Sequence, residues 1–446
     1  MQRVENNQKE YVRLPLRLKT KDSFFGRLKN IQFIISCVAD GAFGYYWHGP
    51  EKGSQGLRYQ IIKTILQRYL AESLPHSTPN ELSDKIDFEF MSKYIAMNNL
   101  PSRPLTAKTG FNKEFDICID HGIVMDYDVK RYGLSGEKLD ALVKADKECA
   151  ARSKPRKISC QIVVGANSGC MNDLVGDKDV TEFPELLHPD PLYPNEKIML
   201  YFHGGAYCVG ERSLTHLYVY ANVSTATGLR VFSPNYRLAP KSCFPCQLHD
   251  CFLAYNTLLK LGYKPENIIL AGDSAGGALS ASLMLILREM SIPYPAAAIL
   301  LSPWVDSTCS GKSWIANQGR DYLPPLSFED PFHPTRLFYA AGRRFDDAMF
   351  EELKCPLVSP IYGDLGGMPP MLIQVGGNEL LKDDVCAFAE TVQKHNPERP
   401  DLVNLETYAD MPHAFTLLHF TQASEEAFAS MGRFVQGLFR ENQTSE

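Results

Sequence analysis

From about residue 158 onward, short apolar runs alternate with longer stretches of helical spacing, and this rhythm constrains the fold of the 446-residue chain more than any other feature. The runs Ser159–Val164, Lys197–Phe202, Arg230–Ser233, Ile268–Ala271, Ala296–Leu301, Met371–Val375 and Leu402–Thr407 have strand length and are bounded by Gly, Pro or Asn. Helical spacing fills the intervals at about 215–227, 247–261, 276–290, 383–395 and 423–440. Strand followed by helix, repeated, predicts an α/β fold with a mostly parallel central sheet flanked by helices on both faces. Functional residues then belong at the carboxyl ends of the strands. Two segments break the rhythm. Residues 1–150, mainly helical in pattern, read as an N-terminal extension or cap. Residues 307–358, rich in Pro, Phe, Asp and Arg, read as a further contribution to that cap over a main domain at 151–446. The stretch from Gly165 to Pro194 reads as an irregular loop.

Composition narrows the classes. A chain this long exceeds the roughly 250–300 residues at which a single core stops growing, so one large domain with additions is expected. The net charge of −6 offers no general attraction to phosphate backbones, which argues against nucleic acid as a partner. Charge is uneven, however: residues 1–30 carry eight Lys or Arg against three acidic residues. The apolar run at 31–38 that follows is shorter than the ~20 residues needed to span a bilayer, and it has no signal-peptide pattern. A cytoplasmic protein is expected, with peripheral membrane contact through the basic N-terminus left open. Twelve cysteines without a secretory signal fit reduced thiols better than a disulfide framework. Cys243, Cys246, His249 and Cys251 invite a zinc reading, but the second matching pair of a structural site is missing, so no metal is assigned. The sequons at Asn222 and Asn442 read as chance matches.

The chemistry is concentrated in four places. Gly272-Asp-Ser274-Ala-Gly276 follows a strand and opens a helix, the context in which a sharp turn lifts a serine hydroxyl above a sheet. His203-Gly-Gly-Ala206 ends another strand and matches the loop type whose backbone N–H groups receive an oxyanion. With the N–H after the serine, the candidate donors are Gly204, Gly205, Ala206 and Ala275. Ala206 replaces the usual third glycine, and its methyl either narrows the hole or is harmless. His203 itself reads as a brace for the loop. A serine hydroxyl needs a neutral imidazole within hydrogen-bond reach to become nucleophilic. His413 is the best candidate, since it follows the last strand-like run and lies downstream of the serine; His333 and His395 fit less well. The acid that orients the imidazole is expected after Met371–Val375, where Glu379, Asp383 and Asp384 stand. Glu379 lies nearest the strand end and is favoured. Asp383 and Asp384 suit the first turn of the next helix, but Asp383 stays open as the acid.

Taken in order, these blocks resemble the hormone-sensitive-lipase family of α/β-hydrolases, including the arylacetamide-deacetylase-like carboxylesterases. The resemblance spans roughly 195–440 and adds Ser233–Pro240, Leu301–Trp304, Pro356–Pro360, Gly376–Asp384 and Met411–His413 to the motifs above. It implies an α/β-hydrolase fold with an N-terminal cap, a serine carboxylic ester hydrolase and no cofactor. Placing the family's acidic motif here puts its first acid on Glu379, where Asp is more usual, and its closing acids on Asp383 and Asp384. The implied activity is cleavage of a small-molecule ester, acetyl or short-chain, of an apolar or aromatic alcohol through an acyl-enzyme. A non-catalytic small-molecule receptor on the same fold is the alternative from another class, though it would need no base at His413. Amide hydrolysis or acyl transfer by the same triad and a homodimeric assembly remain open.

Overall fold

The computed structural model describes residues 33, 36–43, 45–46, 56–73, 110–118, 156–166, 184–210, 214–239, 242–324, 328, 333–340 and 345–441. The basic stretch 1–30, the membrane contact read from it, and Asn442 lie outside the described residues, as does most of 1–150. All seven predicted strands form within about two residues of their expected limits: β2 (Lys157–Gly165), β3 (Ile198–Phe202), β4 (Arg230–Pro234), β5 (Ile268–Asp273), β6 (Ala297–Leu301), β7 (Met371–Gly376) and β8 (Val403–Tyr408). An eighth, β1 (Gly110–Cys118), lies inside the segment read as mainly helical. Its partly covered Phe111 and Phe115 and buried Ile117 are interleaved with exposed Lys113, Glu114 and Asp116, so it forms an edge strand with one wet face and no apolar run.

The sheet order is β1-β2-β4-β3-β5-β6-β7-β8. Strands β3 to β8 run parallel, and β1 and β2 close one end antiparallel. The central strands β3, β4, β5, β6 and β7 are buried along their whole length, which accounts for their continuous apolar sequences.

The connecting helices are α2 (Leu214–Thr227), α3 (Cys246–Lys260), α4 (Ala275–Glu289), α8 (Lys382–His395) and α9 (Gln422–Glu441), preceded by α1 (Gly56–Ser73). Three short helices, α5 (Ser313–Ala316), α6 (Pro334–Ala340) and α7 (Asp347–Glu352), occupy the segment between β6 and β7. Because strand side chains alternate in direction, the two sheet faces bury different sets. Ile198, Leu200, Ile268, Leu270, Leu300 and Ile373 pack with α3, α4 and α8. Met199, Tyr201, Val231, Ile269, Ile299 and Leu372 pack with α2 and α9. The chain leaves β3 toward β4 on one side and returns to β5 on the other, so the crevice at the carboxyl ends of β3 and β5 is a topological switch point where a site is expected.

The opposite end of the sheet is held by charge. Arg230, fully buried at the start of β4, pairs with Glu196 at 2.7 and 2.8 Å and also donates to the carbonyls of Leu186, His188 and Asp190 and to the Tyr263 hydroxyl. A buried guanidinium is tolerable only when paired and hydrogen-bonded in this way. Among the described residues no helix is long and apolar enough to cross a membrane. Among the described residues, Cys160, Cys208, Cys246, Cys251, Cys309 and Cys386 are free thiols.

Candidate active site

Ser274 sits between β5 and α4 with φ +52° and ψ −118°, a backbone conformation that an L-residue holds at a cost of about 1–3 kcal/mol. The surroundings enforce it. The Ser274 N–H donates to the Leu301 carbonyl at 2.8 Å, and its own carbonyl accepts from the Trp304 N–H at 2.9 Å. The turn also brings residue 276 against β3, where a side chain would collide with the Phe202 carbonyl, so this position must be glycine. The hydroxyl is thereby aimed across the strand ends toward the loop that follows β8.

That loop carries His413, whose Nε2 lies 2.8 Å from Ser274 Oγ and whose Nδ1 lies 3.3 Å from Glu379 Oε2. Three residues expected from the sequence to act together therefore converge, although the serine and histidine are separated by 139 positions. All three are buried. Burial pushes the Glu379 carboxyl up, against the pull of His413. For His413 burial acts downward, but the bond and charge of Glu379, joined by the charges of Asp321 and Asp273, outweigh it and raise the imidazole above its ordinary value. Asp383 and Asp384 face elsewhere: Asp383 accepts from the Ser313 N–H at 2.9 Å and Asp384 from the Trp314 indole at 2.6 Å. Both lie in the first turn of α8, as the sequence suggested.

The loop after β3 holds the candidate backbone donors. Gly205 has φ +114°, where a side chain would strike the Val209 carbonyl, and the next two residues, Ala206 and Tyr207, are also left-handed at +53° and +62°. Ala206 therefore takes the glycine-like conformation despite its methyl. One expectation is corrected: the Gly204 N–H is spent on Asp273 Oδ1 at 3.0 Å and is not available to an oxyanion. Among the described residues, the amides of Gly205, Ala206 and Ala275 show no such internal partner. His203 braces the loop. Its Nδ1–H donates to the Gly204 carbonyl at 2.7 Å, its ring stacks on Tyr236 at 4.2 Å, and the Tyr236 hydroxyl donates to its carbonyl at 2.6 Å. Burial pushes the His203 imidazole down to about 4, so it stays neutral near pH 7.

Sequence reasoning passed over three buried polar residues. Asp273, inside the serine motif, accepts from Gly204 N–H, Tyr201 Oη and His216 Nε2, tying the donor loop to the elbow. Burial drives its carboxyl up, yet these partners together hold it below the usual range. Asp321 and Asn317 come from the segment between β6 and β7, and the partners they bind beside Glu379 and His413 are remote in sequence. Asp273 could have been noticed from its place beside the serine; the other two give no local signal.

A serine at the strand-to-helix turn, a histidine and a carboxylate from the loops after later strands and a glycine loop after an earlier strand form the arrangement of an α/β-hydrolase. The family model described as alpha/beta hydrolase fold matches residues 199–417. An acetyl-hydrolase of Streptomyces hygroscopicus is 35% identical over 229 residues, 51% of this chain and 71% of that protein. An esterase of Acinetobacter venetianus is 32% identical over 246 residues, 54% of this chain and 75% of that protein. A crystal structure of an esterase from the bacterial hormone-sensitive lipase family superposes with a TM-score of 0.59 at 25% identity, covering 86% of this chain and 98% of the other. The chain belongs to the hormone-sensitive-lipase family of α/β-hydrolases and is a carboxylic ester hydrolase.

Proposed function

We propose that the protein cleaves acetyl or short-chain esters of apolar or aromatic alcohols through an acyl-enzyme on Ser274. The observation that carries this reading is the 2.8 Å contact between Ser274 Oγ and His413 Nε2, with Glu379 behind the imidazole. Ser274 Oγ attacks the ester carbonyl carbon while its proton passes to His413 Nε2. The carbonyl oxygen becomes negative against the amides of Gly205, Ala206 and Ala275, each such donor being worth about 2.7–4 kcal/mol. The C–O bond to the alcohol then breaks, and His413 returns the proton to the departing oxygen. Water attacks the acyl carbon, gives its proton to His413, and the acid leaves as Ser274 recovers its hydrogen.

Glu379 stays ionised in this scheme and keeps the Nδ1–H tautomer, leaving Nε2 free to accept. The preference for small acyl groups draws on the name of the Streptomyces relative and on the buried aromatic wall beside the elbow. Tyr207 stacks on Phe338 at 3.7 Å and on Trp304 at 5.9 Å, and Ser274 is 7% exposed. Residues 307–358 and the N-terminal helices act as the cap: α1 packs Tyr59, Ile62 and Leu66 with Leu418, Tyr322 and Phe420 next to the histidine loop.

The test is turnover of p-nitrophenyl esters from two to twelve acyl carbons by wild type and Ser274→Ala, with fluorophosphonate labelling of both. Wild type is expected to be labelled and to be fastest on the shortest chains, and the variant to do neither. Turnover retained in Ser274→Ala defeats the nucleophile assignment, and an unlabelled, inert wild type would favour the receptor reading.

A further inference from the structure

The segment joining β6 to β7 does more than cover the site. Asp321, 1% exposed, receives N–H groups from three separate stretches of chain. Its Oδ1 accepts from the His413 N–H at 3.2 Å and from Tyr322 at 2.7 Å, with Leu323 at 3.4 Å; its Oδ2 accepts from the Leu380 N–H at 2.8 Å. Leu380 directly follows Glu379, so one carboxylate bonds the backbone of both the base and the acid loop. Neighbours reinforce the clasp. The Asn317 amide donates to the Glu379 carbonyl at 2.8 Å, and Ser313 Oγ donates to the Leu380 carbonyl at 2.6 Å. From the other side, the Gln67 amide on α1 donates to the Asp321 carbonyl at 2.7 Å.

We propose that Asp321 is a positioning residue of the ester-cleaving machinery: its buried carboxylate locks the Glu379 loop and the His413 loop into one register and places a second negative charge beside the imidazole. The inference rests on the esterase reading above. Its physical basis is the number and kind of donors. Both carboxylate oxygens face backbone N–H groups, and only an ionised acid offers acceptors on both sides without presenting a hydrogen. A neutral amide of the same shape would turn an NH₂ toward at least one donor and leave it unpaired. Burying a carboxylate is unfavourable, so a residue needed only to fill this space would be apolar.

The charges facing His413 are Glu379, Asp321 and Asp273, and all three favour the imidazolium that forms when Ser274 gives up its proton. Burial raises the Asp321 carboxyl above its ordinary value, against the pull of His413 and the bound amides.

The test compares wild type with Asp321→Asn by three measurements: kcat and KM for p-nitrophenyl acetate across pH, NMR titration of the His413 imidazole, and, in wild type alone, hydrogen exchange at the amides of Leu380 and His413. Neutral imidazole is the working form, so removing a nearby negative charge lowers the pH at which it appears. Asp321→Asn is expected to lose kcat on the order of 10–100-fold, the scale of a small misplacement of reacting groups. KM should stay within about threefold, and both the imidazole titration and the acid limb of the rate profile should move to lower pH. In wild type the two amides are expected to be protected and to exchange through one common opening.

A purely space-filling Asp321 would leave the titration and the acid limb where wild type has them, and that result overturns the proposal. If Asp321→Asn does not fold, the exchange experiment decides, because unrelated opening of the two amides removes the clasp. Failure of the esterase reading shows up differently, as a wild type inert to both ester and fluorophosphonate.

Discussion

Replacing Glu379 by Gln tests the contribution of the acid's charge, because the side chain keeps its length and still has one oxygen that can accept from His413 Nδ1. Glu379 is fully buried and its Oε2 stands 3.3 Å from His413 Nδ1. At an effective dielectric of about 20, a carboxylate and an imidazolium at that separation attract by roughly 5 kcal/mol. At about 1.4 kcal/mol per tenfold, this caps the rate loss at between 10³ and 10⁴. Asp321 and Asp273 remain in place and still favour the imidazolium, so the expected fall in kcat for p-nitrophenyl acetate is about 10³, with KM little changed. The sign of the pH effect is fixed by the same geometry. Glu379 raises the imidazole, its removal lowers it, and the acid limb of kcat/KM moves to lower pH. The control is Asp383→Asn, whose carboxylate serves the Ser313 N–H; it should retain kcat within about tenfold. The reverse pattern, a crippled Asp383→Asn beside an active Glu379→Gln, refutes the assignment of the acid.

Other outcomes follow from the packing. Glu196→Gln leaves the buried Arg230 guanidinium without its counter-charge and is expected to lower unfolding free energy by about 3–5 kcal/mol in a urea titration. The folded fraction should keep wild-type kcat, because the pair lies at the far end of the strands from Ser274. Gly276→Ala forces a methyl against the Phe202 carbonyl, a backbone clash that cannot be relieved by a side-chain rotation, so thermal melting should show a large loss of stability or no soluble protein. Ala206→Gly removes a methyl from a residue already at φ +53°; kcat is expected within about fivefold of wild type, and a greater loss would show that the methyl shapes the oxyanion site.

The polypeptide sequence alone determined the α/β alternation from β2 to α9, because buried parallel strands must be apolar throughout and the helices between them keep their period. It also marked Ser274, His413 and Gly205 as the candidate nucleophile, base and donor, since each stands in a loop or turn that follows a strand, in a local pattern that chemistry requires. Glu379 was legible as the favoured acid by its nearness to the strand end, with Asp383 left as a competitor.

Tertiary structure decided what depends on partners remote in the chain. Strand β1 escaped notice because a strand with one wet face carries only a sparse alternation of apolar residues. Gly204 looks like a donor in the sequence, but Asp273, across the crevice, occupies its N–H. Asp321 carries no motif at all: the two long-range bonds of its carboxylate reach 59 and 92 residues along the sequence. A carboxylate's role is set by the donors that surround it, and those donors come together only when the sheet has formed.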